Sequence, residues 1–368
     1  MSTVHLYGVP KDTSDTEIVH RSKQLVVKAF GLDDLVKPGK TVALIKVPLN
    51  GKDKFPAVGD WRMIKALGNA IEERGGKVIV GDQSGIEYEK YGTAETSYTE
   101  YCYAHSGMAS CGYPIRAFEK EGYHLCTDPK AEHWPNGFHI TNVVNEVTDI
   151  FVLARVAAHG MFGMTGCAKG FGVGILEIED RLRFHAKSPM DWYIKLVEFG
   201  KGRHQPPTSR DRSGFQMVAE LTLPCLPLLR GCMFSGIKVL ADKGPNGYLM
   251  ELMGIPLFRS DVYEPEVGLL GATTSMPAAD AVLVTLLGMY YEQVPAFQKL
   301  LQRLLVAVNG SIKEPNAVVD PYSDPVIAHQ LKLGIGEKVS RLDVLEQSVP
   351  DDILSILKKR LSVRHGSH

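Results

Sequence analysis

The chain is expected to be an α/β protein: a mostly parallel sheet with helices on both faces, an irregular Tyr-rich insertion and a C-terminal helical region. Three observations carry that expectation. Short apolar runs of buried-strand length end at Lys46, at Asp82 and near His159. Amphipathic stretches of helical period separate them, so strands alternate with helices. The 368 residues, 44% hydrophobic and 23% charged, suffice for a large core and are treated as one domain, residues 1–368.

The elements follow in order. Residues 4–7 form a short first strand. Residues 13–30 carry Ile18, Leu25, Val26 and Ala29 near one face of a helix, with Ser14 and Glu17 spaced as a capping box. Lys37-Pro38-Gly39-Lys40 is a turn. Residues 41–47 are a buried strand that Pro48 stops, 61–73 a helix ended by Gly75-Gly76, and 77–80 a second strand. This βαβ order predicts parallel strands and a ligand beyond their carboxyl ends. Lys46, Asn50, Asp82, Gln83 and Ser84 lie at those ends.

Residues 88–135 lack clear periodicity and hold Tyr88, Tyr91, Tyr98, Tyr101, Tyr103, Tyr113, Tyr123 and Trp134, the pattern of an insertion or lid. Its tyrosines pack in the first instance and would also suit an aromatic substrate. Residues 149–156 are another buried strand. Helices are expected over 189–200, 277–289, 294–305 and 350–361, with a proline-interrupted one over 215–229. Strands are expected over 237–240 and 269–273.

The strand at 149–156 leads into H-G-M-F-G-M-T-G-C-A-K-G-F-G-V-G, residues 159–174, with six glycines in sixteen residues. Glycine costs backbone entropy in a helix, so this stretch reads as a loop that comes close to a ligand. It lacks the standard nucleotide spacings. Ala168 precedes Lys169 and Gly170 follows it, which breaks the P-loop, and the dinucleotide pattern fails at Ile175 or Glu177.

The net charge of −1 implies neither nucleic acid nor an acidic membrane surface as partner, and no apolar run reaches the length of a membrane span. Cys102, Cys111, Cys126, Cys167, Cys225 and Cys232 form no C-x-x-C pair, which argues against zinc-ribbon and iron–sulfur sites. Scattered thiols and the lack of a signal-peptide pattern make the cytoplasm the default compartment. No metal and no cofactor is called for.

Each candidate residue has a chemical and a plain reading. Lys46 ends an apolar strand, so it is either a desolvated amine of lowered pKa or the partner of Asp82 in a structural ion pair. Asp82 serves as a base or simply caps a turn. His159 suits proton transfer near neutrality, or packs beneath the loop. Lys169 holds an anion or steadies an enolate, or is a solvated loop lysine. Around Thr165 and Gly166 the backbone N–H groups are candidates for an anion nest. A nucleophilic role for Cys167 lacks an orienting third residue.

Four pieces, in order, resemble one known family: V-A-L-I-K-V-P, G-G-K-V-I-V-G-D-Q-S-G, H-G-M-F-G-M-T-G-C-A-K-G-F-G, and K-G-P-N-G followed by A-A-D-A-V-L-V-T-L-L-G. They resemble the domain of unknown function 362 over residues 42–336. The resemblance implies that Lys46, Asp82, His159 and Lys169 occupy the family's motif positions, with Arg155 near the place of a usual lysine. Three positions depart from the pattern: Pro48, Ala157 and Gly170. Many members carry ferredoxin-like cysteine clusters that suggest redox roles, and this chain has none.

The expected function is proton transfer on a small anionic or aromatic molecule, of isomerase, epimerase or lyase type. Lys46, Asp82, His159 and Lys169 would be catalytic, and Asn50, Gln83, Arg155, Thr165, Gly166 and Asn246 would bind substrate. The alternatives are an oxidoreductase with a bound organic cofactor or an electron-carrier partner, and a non-catalytic small-acid-binding protein. Oligomeric state is open.

Overall fold

The computed structural model describes residues 2–51, 53–84, 96–159, 162–186, 213–241, 248–252, 255–259, 262–294 and 320–363. The helix expected over 189–200, most of that over 294–305, Tyr88, Tyr91 and Asn246 lie outside them. In chain order the elements are β1 (Ser2–Pro10), α1 (Asp15–Phe30), α2 (Leu32–Leu35), β2 (Val42–Lys46), α3 (Trp61–Glu72), β3 (Lys77–Asp82), α4 (Tyr98–Ser106), β4 (Ile115–Ala117), β5 (Tyr123–Cys126) and β6 (Phe138–Thr141). There follow β7 (Asp149–His159), β8 (Gly163–Met164), α5 (Cys167–Ile175), α6 (Ile178–Ala186), α7 (Gly214–Glu220), β9 (Leu229–Leu240), β10 (Tyr248–Leu252), β11 (Ile255–Arg259), β12 (Val262–Tyr263) and β13 (Val267–Thr273). Last come α8 (Met276–Tyr291), α9 (Pro325–Leu333), β14 (Val339–Val344) and α10 (Asp351–Arg360).

The main sheet runs β14-β1-β13-β9-β7-β2-β3-β4. Strands β9, β7, β2, β3 and β4 pair in parallel, and so do β14 and β1. Strand β13 joins these two groups by antiparallel pairing on both sides. Parallel strands covered on both faces need apolar side chains on both, and all eleven residues of β7 are buried. One face packs on α1, α3 and α4 through Ile18, Leu25, Met63, Leu67 and Tyr103. The other packs on α5, α7, α8, α9 and α10 through Phe171, Met217, Leu283, Ile327 and Leu357. Among the described residues, no helix is long and apolar enough to cross a membrane.

Local signals explain the helix ends. Ser14 accepts the Glu17 N–H to open α1, and Gly31 in the left-handed region closes it. Asp60 accepts the Arg62 N–H at the start of α3, which ends near Gly75-Gly76 as expected. Helix α8 is apolar all round because it is buried all round, with 15 of its 16 residues out of solvent. Ser275 caps it by accepting the Ala278 N–H. In the Tyr-rich segment short elements alternate with 3-10 turns. The Tyr113 ring fills the space beside Gly68, and its hydroxyl reaches Glu72.

One expectation is overturned. The glycine run is not a loop throughout: residues 167–175 form helix α5 despite Gly170, Gly172 and Gly174. Tertiary packing overrides propensity here. A Cβ on Gly172 would stand 2.7 Å from the Leu221 Cβ, and one on Gly174 would stand 2.0 Å from Lys46 Nζ and 2.5 Å from Asp82 Oδ1. The two glycines let α5 lie directly on α7 and on the strand ends. Gly170 differs, since nothing among the described residues lies within 4 Å of the place its Cβ would take.

The three glycines are therefore expected to respond oppositely to alanine. Gly170→Ala relieves the glycine penalty in a helix and stabilises by up to about 1 kcal/mol. Gly172→Ala and Gly174→Ala each lower the thermal unfolding midpoint, Gly174→Ala the more. Equal effects at all three positions would contradict this packing account.

Candidate functional site

Strands β2, β3 and β7 run parallel, so Lys46, Asp82 and Arg155 arrive at the same end of the sheet. Helix α5 crosses that end with Gly174 against Lys46 and Asp82. Lys46 Nζ sits 2.7 Å from Asp82 Oδ1, both side chains being buried. The ammonium also donates to the Gly170 carbonyl at 2.5 Å and to the Val47 carbonyl at 3.1 Å. Its three protons thus have three acceptors. Asp82 is equally engaged: Oδ1 accepts the Gln83 N–H and Oδ2 the Leu49 N–H, at 2.7 and 2.6 Å. Burial pushes the lysine pKa down and the carboxyl pKa up, and each charge partly offsets the shift of the other.

Three further cations surround the pair. Arg181, buried in α6, donates to the carbonyls of Leu176, Gly174 and Gln83, at 3.2, 2.9 and 3.1 Å. It ties α5 and α6 to the end of β3. Lys169 in α5 is half-buried. Burial, then the positive charges of Arg155, Arg181 and Lys46, lower its pKa to about 7. Its partial exposure lets solvent moderate that shift. Arg155 is 1% exposed, and its Nε and Nη2 find no acceptor among the described residues. Burial lowers even this guanidinium to about 10, with Asp82 as the opposing charge.

Two neutral groups are similarly unsatisfied. Gln83 is buried; Oε1 accepts the Tyr123 hydroxyl at 2.7 Å, while Nε2 lacks a partner among the described residues. Buried Thr165 bonds through its backbone to Ala157, and its hydroxyl has no partner there. Buried polar groups are rarely left in this state without a ligand or water to meet them. Asn50 lies one residue past Leu49 and before Gly51, whose N–H donates to Ser84 Oγ.

The remaining candidates sit as follows. His159 ends β7, and its Nδ1 accepts the Phe162 N–H at 3.3 Å, across the turn into β8. Gly166 is the N-cap of α5, and a Cβ there would strike Asp280 Oδ1 at 2.3 Å. The expected anion nest is therefore filled from within the chain. Asp280 of α8 accepts the N–H groups of Cys167 and Ala168, an anion on a helix N-terminus. Burial raises its pKa to about 7 against those two bonds. Burial, then the neighbouring Cys232, push the Cys167 thiol well above the ordinary range, which disfavours the thiolate a nucleophile needs.

Sequence reasoning left Arg181 and Asp280 without a role. Asp280 stands in the quoted A-A-D-A segment, and a lone carboxylate in an otherwise apolar helix was a usable signal. Arg181 sits in a run of charged residues, E-I-E-D-R-L-R, where nothing marks one arginine as buried.

Known proteins compare as follows. The sequence profile described as "Domain of unknown function (DUF362)" matches residues 43–285. No curated protein matches the chain. Among solved structures, the lactate racemase apoprotein from Thermoanaerobacterium thermosaccharolyticum is similar at 15% identity and a TM-score of 0.39. That match covers 64% of this chain and 50% of the racemase chain.

Breaking the central pair on one side strands a buried charge. Lys46→Met and Asp82→Leu are each expected to destabilise by roughly 3–5 kcal/mol, and the double variant by clearly less. Denaturant unfolding of the three variants provides the cycle, and additive losses would refute the coupling.

Proposed function

This chain belongs to the DUF362 family, and from its site we propose that it is an enzyme moving a proton on a small organic acid. The observation that carries the reading is Arg155, a buried guanidinium whose Nε and Nη2 meet no acceptor among the described residues, beside one carboxylate and three other cationic side chains. A buried arginine fork lacking its acceptor matches a carboxylate, which it can bind with two parallel hydrogen bonds. The Thr165 hydroxyl and Gln83 Nε2 are further donors for the same anion.

Lys169 supplies the proton chemistry. A lysine with a pKa of about 7 is substantially a free amine at neutral pH, and so competent as a general base. It takes a proton from the carbon next to the bound carboxylate. The electron pair left behind spreads into an enolate, whose negative charge Arg155 and Arg181 oppose. Returning the proton to carbon completes an isomerisation or epimerisation. Lys46 and Asp82 act as the fixed floor, since every polar hydrogen of the ammonium is already engaged. His159 is a proposed second proton carrier, at the end of the strand that bears Arg155. The open side of Gly170 is the proposed entry.

The test is deuterium wash-in. Short 2-hydroxy, 2-keto and aryl-substituted carboxylic acids are incubated with the protein in deuterated water, and loss of the α-proton is read by proton NMR. At least one acid is expected to exchange, at a rate that rises with pH through about 7 as Lys169 loses its proton. Lys169→Arg keeps a long cationic side chain that cannot lose its proton in this range, and should abolish exchange. Binding of these acids without exchange in the wild type would favour the non-catalytic alternative.

Arg155 makes a separate prediction about stability. Replacing a buried guanidinium that lacks acceptors among the described residues by an apolar chain of similar length removes a desolvation cost. Arg155→Met is expected to melt higher than the wild type without ligand, and to lose any melting shift caused by the acids. A variant that melts lower and still responds to them would sink the assignment.

A further inference from the structure

A second polar cluster lies apart from the cationic centre. Glu220, the last residue of α7, is fully buried. Its Oε2 accepts the backbone N–H of His133 at 3.0 Å. Its Oε1 lies 2.5 Å from His133 Nδ1 and 3.1 Å from His329 Nε2. The two rings meet edge-on, with centroids 5.6 Å apart and planes at 82°. Three separate segments contribute: the chain between β5 and β6, α7 and α9. The histidines stand 87 and 109 residues from Glu220 in sequence, so no local spacing reveals the set.

The carboxylate here has no permanently charged partner among the described residues. Among the described residues, Glu220 meets only imidazoles and backbone, with no lysine or arginine beside it. A fully buried carboxylate needs a cation beside it, and the two imidazoles can meet that need either by carrying a proton or by holding a metal ion jointly with the carboxylate. The cluster of His139, Glu177 and Asp180 makes the contrast. There Arg183 sits 3.2 Å from Asp180 and offsets one of the two carboxylates, while Glu177 and His139 are partly exposed and reach solvent.

We propose that His133, Glu220 and His329 bind one divalent transition-metal ion of the zinc class. Two imidazole nitrogens and one carboxylate oxygen form a donor set that such ions take. The three ligand atoms already lie within 4.8 Å of one another. Bonds of about 2.1 Å in a tetrahedron set donors about 3.4 Å apart, so the 2.5 Å contact opens by roughly 1 Å when the ion enters. His133 Nδ1 and His329 Nε2 offer lone pairs to the ion, the remaining proton of each neutral ring sitting on its other nitrogen and any second proton passing to solvent. The His133 side chain is 29% exposed, which leaves an approach for the ion and for a water as fourth ligand.

The ion serves the fold. It fastens α9 and the segment before β6 to α7, and Leu221, just after α7, is the residue on which Gly172 of α5 rests. The proposal is independent of the chemistry at Lys169.

The test uses the full chain, stripped with a chelator, dialysed and titrated with cobalt(II) and zinc(II). One equivalent is expected to bind, with visible cobalt bands of low coordination number and a higher melting temperature for the zinc-loaded protein. Glu220→Gln and His329→Ala should lose the equivalent and the bands. His133→Ala, on a partly exposed side chain, gives the same answer if the buried variants do not fold, and circular dichroism confirms its fold. His139→Ala should bind normally. No stoichiometric binding by the wild type, or an equivalent kept by folded His133→Ala and lost only by His139→Ala, overturns the proposal.

Discussion

A lysine ammonium at the end of β2 is out of reach of water, and the surrounding structure is arranged to satisfy it. Its three protons go to Asp82 on the adjacent parallel strand, to the next carbonyl of its own chain and to a carbonyl of α5. The third bond requires the helix to lie against the strand ends. At that distance only a residue without a Cβ fits over Lys46 Nζ, so Gly174 is a consequence of the pair. Arg181 then binds the carbonyls of Gly174 and Gln83 and holds the same helix end to β3. One buried charge pair thus dictates the composition of α5, its height above the sheet and the place of α6.

The opposite end of α5 obeys a matching rule. Its first N–H groups meet the Asp280 carboxylate of α8, and the absent Cβ of Gly166 makes room for that oxygen. A helix with three glycines has little intrinsic stability, and the molecule compensates at both termini with buried charge. The cost appears as an excess of positive charge. Lys46 and Asp82 neutralise each other, Arg181 is engaged by carbonyls, and Arg155 keeps two nitrogens that meet no acceptor among the described residues, with Lys169 beside it. This imbalance, and not any motif, is the strongest physical argument for a small acid as ligand.

Much of the scaffold was legible before the fold was known. Strands β2, β3 and β7 and helices α1, α3, α8 and α10 lie within a few residues of their expected places, because apolar period and capping residues are local properties. The joining of β1 and β14 to the sheet edge through an antiparallel β13 was not legible, since register between distant strands leaves no local trace. Reading 167–175 as a loop followed correctly from glycine propensity. It failed because the glycines answer to Lys46, Asp82 and Leu221, which lie far off in sequence.

By itself, the sequence determined the α/β class, the parallel order of β2 and β3, and the delivery of Lys46, Asp82 and Arg155 to strand ends. These follow from patterns within about ten residues. Only the tertiary structure decided that Lys46 is locked by three acceptors, that Asp280 fills the anion position at α5, and that Arg155 is buried with Nε and Nη2 meeting no acceptor among the described residues. It also brought His133 and His329 onto Glu220. Each of these depends on which charges end up sharing a water-poor space, and desolvation exists only once distant segments have closed around them.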